Sequence, residues 1–327
     1  MTLTGFVLLY IAATIAIGVI AATRVKNTSD FALAGRSLPL PMVITATFAT
    51  WFGSETILGL PGRFIESGIA GVIEEPFGSG MALILVGTFF AHKLYKQNIL
   101  TLGDYYRDRY GRSVELLCSV AIVISYLGWV GAQVTALGLV INLITEGAVS
   151  MTTGMVIGAA VVLAYTMVGG MWSVAMTDFV QMIVIVVGLV AILWFATDLA
   201  GGMDKVVDYA RGRDLFHAFP EPTTTGWLFW ISAAMTMMIG SIPQQDVFQR
   251  VMSAKNLPTA VAGPILGGSF YILFAFVPMF IVVAAILVMP DAAEKMLSED
   301  PQQLLPTLVR DYMPMWLRVV FFGAVLS

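Results

Sequence analysis

The chain has 327 residues, of which 58% are hydrophobic and only 12% charged, with a formal net charge of -4. A soluble domain is roughly half apolar and about a quarter charged, so this chain cannot cover its apolar surface in water and a bilayer must be its solvent. The small net charge gives no basis for a nucleic-acid partner, and the single cysteine, Cys118, excludes an internal disulfide or a multi-cysteine metal centre.

Runs of about 20 apolar residues can cross a bilayer as helices. In chain order they are predicted at residues 5–22, 40–60, 72–91, 114–144, 154–171, 179–196, 227–242 and 261–289. A ninth starts near Met315 and reaches only Ser327, about half a crossing, so a C-terminal continuation is expected. The first run lacks a basic head and leads into further spans, unlike a cleavable signal. His92 and His217 fall in polar connections, away from any buried proton relay.

Lys and Arg orient the spans. Arg24, Lys26 and Arg36 lie in the first connection, Lys93, Lys96, Arg107, Arg109 and Arg112 in the third, and Arg250 with Lys255 in the seventh. These alternate, so they share one side, expected to be cytoplasmic, with the N-terminus outside. Residues 200–225 then form a long polar outer loop.

Two spans carry polar, helix-interrupting residues at mid-depth. The second reads Ala49-Thr50-Trp51-Phe52-Gly53-Ser54-Glu55, and the seventh Gly240-Ser241-Ile242-Pro243-Gln244-Gln245-Asp246. Irregular backbone at that depth is tolerated only where it is buried in protein or lines a cavity. A single kink is ordinary in a membrane helix. Two of them, five spans apart, fit the first helices of two inverted repeats with solute and ion sites at the breaks.

Acids come next. Glu55 follows the first break, Glu74 and Glu75 open the third span, and Asp178 opens the sixth. A carboxylate at the bilayer centre costs about 3 kcal/mol on insertion scales, so each needs a partner or a wet path. Glu74 and Glu75 also suit a wet interface, and Asp178 a helix start, where an acid complements the dipole. Trp172, Trp194, Trp227 and Trp230 fit an interfacial belt, whereas Trp51 and Trp129 lie deeper. Indole faces at a solute site suit an organic cation, each worth about 2 kcal/mol when desolvated; plain packing is the competing use.

Gly169-Gly170-Met171-Trp172-Ser173-Val174-Ala175-Met176-Thr177-Asp178-Phe179-Val180-Gln181 resembles the signature of the sodium/solute symporter family. So do Phe31-Ala32-Leu33-Ala34-Gly35-Arg36-Ser37-Leu38-Pro39, Val247-Phe248-Gln249-Arg250 and Gly59-Leu60-Pro61-Gly62. The resemblance implies an all-α membrane protein with a LeuT-type inverted-repeat helical bundle. One transporter domain, residues 1–327, would hold a leading helix at 5–22, a first five-helix repeat at 40–196 and a partial second repeat at 227–327. The bundle would be incomplete, with about eight full spans and the start of a ninth.

Within the family the chain is most similar to the choline-transporter branch, through Thr47-Phe48-Ala49-Thr50-Trp51, Ile239-Gly240-Ser241-Ile242-Pro243 and Phe248-Gln249-Arg250-Val251-Met252-Ser253. Trp51 and Trp129 match cage tryptophans of that branch, while Gln244 stands in place of a third tryptophan and Ser79 in place of a tyrosine. Other positions resemble the sugar-carrier branch: Glu55 and Glu75 match acids near its sugar site, Gln244 its asparagine, and Asp246 falls near its inner gating tyrosine. The resemblance further implies sodium held by the backbone carbonyls of Ala49 and Phe52, with hydroxyl ligands beyond Ser327 and Asp178 on the inward ion path. Carbonyls of an unwound turn suit a hard cation.

The expected function is therefore a carrier, not an enzyme: a plasma (inner) membrane symporter importing a small organic solute with Na+ by alternating access. An organic cation such as a choline-like compound is expected first. Another polar solute (sugar, polyol or amino acid) is the alternative, and the membrane sensor region of a signalling histidine kinase is another. Its partners would be the solute and the bilayer, with the oligomeric state open.

Overall fold

A computed structural model of the protein describes residues 3–326. Among the described residues every regular element is helical, as lipid demands of a chain whose backbone groups must pair within each span. The leading span is α1 (Leu3–Ala22), followed by the short α2 (Thr28–Leu33), whose first turn is capped by the Asn27 side chain accepting from the Asp30 N–H at 2.9 Å.

The second span is broken in two, as its sequence predicts. Its first half is α3 (Leu40–Trp51); a π-helical turn at Glu55–Gly59 then leads into α4 (Leu60–Gly71). The third span, Ile73–Gln97, contains π-helical turns at Ile73–Gly78 and Val86–Phe90, separated by α5 (Ser79–Leu85) and ending in α6 (Ala91–Gln97). An interfacial helix, α7 (Leu102–Tyr110), starts with a reciprocal cap between Thr101 and Asp104 and precedes α8 (Arg112–Ile144).

The fifth and sixth spans are continuous in α9 (Met151–Leu199), which changes course at Gly170, φ 49° and ψ -145°. Here the structure corrects the sequence reading. The expected connection at 172–178 is helical, so Asp178 lies inside a helix and the reading of it as a helix-start acid does not hold. The polar loop at residues 200–225 contains α10 (Met203–Gly212), anchored through buried Val206 and Ala210. The seventh span is the pair α11 (Thr224–Gly240) and α12 (Gln245–Met252), bent by 44° where Pro243 interrupts the helix. Then come α13 (Leu257–Phe274) and α14 (Phe276–Val288), two short helices α15 (Pro290–Glu299) and α16 (Leu304–Tyr312), and α17 (Met315–Leu326).

By length and composition, five of the described helices can cross a membrane, or six with the bent pair; α3, Met151–Ala164 and α17 are shorter apolar helices. That agrees with eight predicted spans and the start of a ninth. The Leu257–Val288 span is the most buried of the set, while the most apolar stretch of α8 has no buried residue.

The basic-rich connections meet on one face. Gln249 donates to the Ala32 carbonyl at 2.5 Å, and Leu38 pairs beside Ala254 through Leu38 N–H to Ser253 (3.0 Å) and Lys255 N–H to Leu38 (2.9 Å). The Tyr95 hydroxyl donates to the Ala254 carbonyl at 2.8 Å, and the Arg36 guanidinium lies 4.1 Å above the Tyr95 ring. Phe31 sits against Gly170, where a Cβ would fall 2.4 Å from the Phe31 carbonyl oxygen. Three of the four sequence segments that carry the family resemblance are thus joined in space. At the other face, Ile69 and Ala70 donate to the carbonyls of Leu215 and His217, both at 2.9 Å, tying the polar loop to α4.

Candidate functional site

At the end of α3 the backbone leaves the helix at Phe52, φ -81° and ψ 72°. The Gly53 N–H turns to the Trp51 carbonyl at 2.9 Å instead of to Ala49, its partner in a regular helix. The break therefore frees carbonyl oxygen at the depth the sequence predicts, and a cavity opens on each side of it.

The first cavity, about 270 Å³, brings together six of the predicted residues: Trp51, Glu55, Glu75, Trp129, Gln244 and Asp246. Thr50, Tyr126 and Glu74 also line it, and Arg63 is the basic residue on its wall. Four carboxylates facing one guanidinium, beside two indole rings, make a space that favours a cation.

Glu75 is buried, which removes the wet-interface reading for it. Thr56 donates to its Oε1 at 2.8 Å and the Tyr271 hydroxyl donates to the same oxygen. Thr56 Oγ1 lies 3.0 Å from the Trp51 carbonyl and 3.1 Å from the Tyr271 hydroxyl, so one hydroxyl connects the break to the acid. Sequence reasoning missed Thr56 and Tyr271. A threonine and a tyrosine within apolar helices read as packing, and no local pattern marks them as partners of Glu75.

Asp246 is held from α8. The Tyr126 hydroxyl donates to Asp246 Oδ1 at 2.6 Å, and the Val247 N–H donates to the same oxygen at 2.9 Å. The Trp129 ring meets Tyr126 edge-on, with centroids 6.4 Å apart. Glu55, by contrast, stands at a wet rim. Its side chain is 40% exposed and lies 3.8 Å from Arg63, a pairing that at such exposure is worth under about 1 kcal/mol.

The second cavity, about 610 Å³, is lined by Ala49, Phe52, Trp129 and Asp178 together with Gln133, Gln181 and Ala324 of α17. Asp178 Oδ2 and Gln181 Nε2 are buried without a hydrogen-bond partner in the structure, so both are open to a guest that supplies one. The freed carbonyls and the Asp178 carboxylate are oxygen donors suited to a hard cation. Ser327, after which the remaining ligands were expected, lies outside the described residues.

Between this chamber and a vestibule of about 400 Å³ stands Gln133, which lines both. Its Oε1 accepts from the Ser54 hydroxyl at 2.6 Å, directly after the break. Ser79 is the one predicted site residue that the structure does not bring to either cavity. It is fully buried, with its hydroxyl unpartnered. On a regular helix it would share a face with Glu75, four residues earlier, but Glu75 is non-helical (φ -138°, ψ 125°) within a π-helical stretch.

Residues 31–327 match the model of the sodium:solute symporter family. The high-affinity choline transporter 1 of Caenorhabditis elegans is 28% identical over 313 residues, 91% of this chain and 52% of the relative. Its Homo sapiens counterpart is 28% identical over 330 residues, 94% and 55% respectively. The sodium/glucose cotransporter 4 of Danio rerio is 27% identical over 302 residues, 85% and 45%. The chain thus spans about half the length of the curated relatives it matches. A Na+-coupled sialic acid symporter solved in a substrate-bound outward-open state superposes with a TM-score of 0.84 at 19% identity, covering 100% of this chain and 69% of that one.

Proposed function

The chain belongs to the sodium:solute symporter family, and on that premise we propose that it is the transport region of a sodium-coupled carrier importing a small organic cation of the choline type. One observation carries the reading: a cavity walled by Trp51, Trp129 and four carboxylates adjoins the backbone break that frees carbonyl oxygen. Sodium at the Ala49 and Phe52 carbonyls would fix the turn of the broken helix, and the same turn aims the Trp51 ring at the solute. Ion and solute would then each bind better when the other is present, which is the reciprocity that coupling requires. Asp178 would receive sodium on its way inward, and separation of Tyr126 from Asp246 would open the inner side. The basic-rich face would be cytoplasmic in a plasma (inner) membrane, with the N-terminus outside.

Uptake by the full-length protein under an inward sodium gradient tests this. Choline is expected to accumulate, and collapse of the gradient should abolish the accumulation. Trp51→Ala should weaken competition by quaternary amines about tenfold or more, the worth of one desolvated cation–π face. Sodium-independent uptake would sink the coupling, and competition by polyols alone would sink the cation reading. Choline binding with no gradient-driven accumulation would favour a sensor.

A further inference from the structure

We infer that Gln133 reads the oxygen end of the solute, making the site selective for amino alcohols over ammonium ions that lack a hydroxyl; this rests on the organic-cation reading above. Tyr126, Trp129 and Gln133 recur on α8 at steps of three and four residues, so they share one face of the helix. Trp129 lines both cavities, and Gln133 lies one turn further toward the vestibule. Neighbours on a helix face have Cβ atoms about 5–6 Å apart. Gln133 lines the second cavity and the vestibule but not the first, so an ammonium on the first-cavity side of the Trp129 ring would meet the Gln133 amide through a hydroxyalkyl arm extended past that ring into the second cavity.

The amide is fixed in the orientation that this reading needs. Its Oε1 is taken by the Ser54 hydroxyl at 2.6 Å, and its Nε2 has no partner among the described residues, leaving an N–H donor for a guest oxygen. Gly53 makes room for it: a Cβ there would lie 3.3 Å from Gln133 Oε1, tighter than ordinary contact. Because Ser54 follows the break directly, the group that reads the solute is also bonded to the helix that would hold the ion. A site that donates to a hydroxyl favours the ligand carrying it by the net worth of that one hydrogen bond.

The test compares choline with its isostere n-propyltrimethylammonium, in which a methyl replaces the hydroxyl, as competitors of sodium-driven uptake by the full-length protein. Wild type should prefer choline about threefold to tenfold, the worth of one net hydrogen bond. In Gln133→Met, which keeps length but has no donor, the ratio should fall to about one, with affinity for the isostere retained. Gln133→Ala should behave the same way. The ratio is taken within one variant, so expression and folded yield cancel. A preference that persists in both variants overturns the inference while leaving the cation reading intact. If neither compound competes in wild type, both fall.

Discussion

Glu75→Leu is expected to abolish solute accumulation, with uptake per folded molecule falling by about a hundredfold or more, and to destabilise the protein as well. The functional part follows from removing the most buried of the cavity's carboxylates, since truncating one partner of a desolvated charge pair costs about 2–5 kcal/mol. The stability part follows from what is left behind. Thr56 and Tyr271 are both fully buried, and both direct hydroxyls to Glu75. Without it Thr56 keeps the Trp51 carbonyl at 3.0 Å and Tyr271 keeps only the Thr56 hydroxyl at 3.1 Å, so the network loses its common acceptor at a cost of about 1–3 kcal/mol. The triple variant Glu75→Leu/Thr56→Val/Tyr271→Phe separates the two effects. Its melting temperature in detergent should recover most of the loss, because no polar group is then stranded, while its uptake should stay at background. Wild-type melting of the single variant would show that the network contributes nothing to the fold.

Gly170→Val should be the most damaging substitution outside the cavities. The backbone there has φ 49° and ψ -145°, a region open essentially to glycine, which by itself costs a side chain about 1–3 kcal/mol. A Cβ would also fall 2.4 Å from the Phe31 carbonyl oxygen and 2.7 Å from the Phe31 ring, so two backbones would have to separate. Overpacking of that kind adds about 1–3 kcal/mol. The expected result is a folded, detergent-stable yield at least about tenfold below wild type, with Gly170→Ala intermediate. A variant that purifies and melts like wild type would refute the account.

The spans and both breaks were legible because lipid enforces two rules that a sequence displays directly: apolar length, and irregular backbone only where a cavity receives it. Trp51, Glu75, Trp129, Gln244 and Asp246 were found by combining those breaks with the resemblance, and they share one cavity. Other features left no local trace. Tyr271 reaches Glu75 across 196 residues of sequence and Tyr126 reaches Asp246 across 120, and nothing near either tyrosine announces the partner. Ser79 was named through the resemblance alone, and a motif match carries no helical phase; the π-helical stretch at Ile73–Gly78 precedes it and alters that phase. Residues 172–178 were read as a connection because Asp178 and its polar neighbours look like one, whereas the chain changes direction earlier, at Gly170, and stays helical through them.

The bond from Gln249 to the Ala32 carbonyl spans 217 residues, and Leu38 finds its backbone partners only at Ser253 and Lys255. Such contacts bear on the order of events during synthesis. The segment around Ala32 leaves the ribosome early, yet nothing can satisfy it in the native way until Lys255 has emerged and the seventh span has been inserted. Contacts of long sequence separation are costly to close and form late. The basic face would thus assemble late, and the leading spans would wait in the membrane with that face unsealed until then. Gln249→Ala should accordingly be felt first as slow maturation of the nascent protein, before any defect in the finished one.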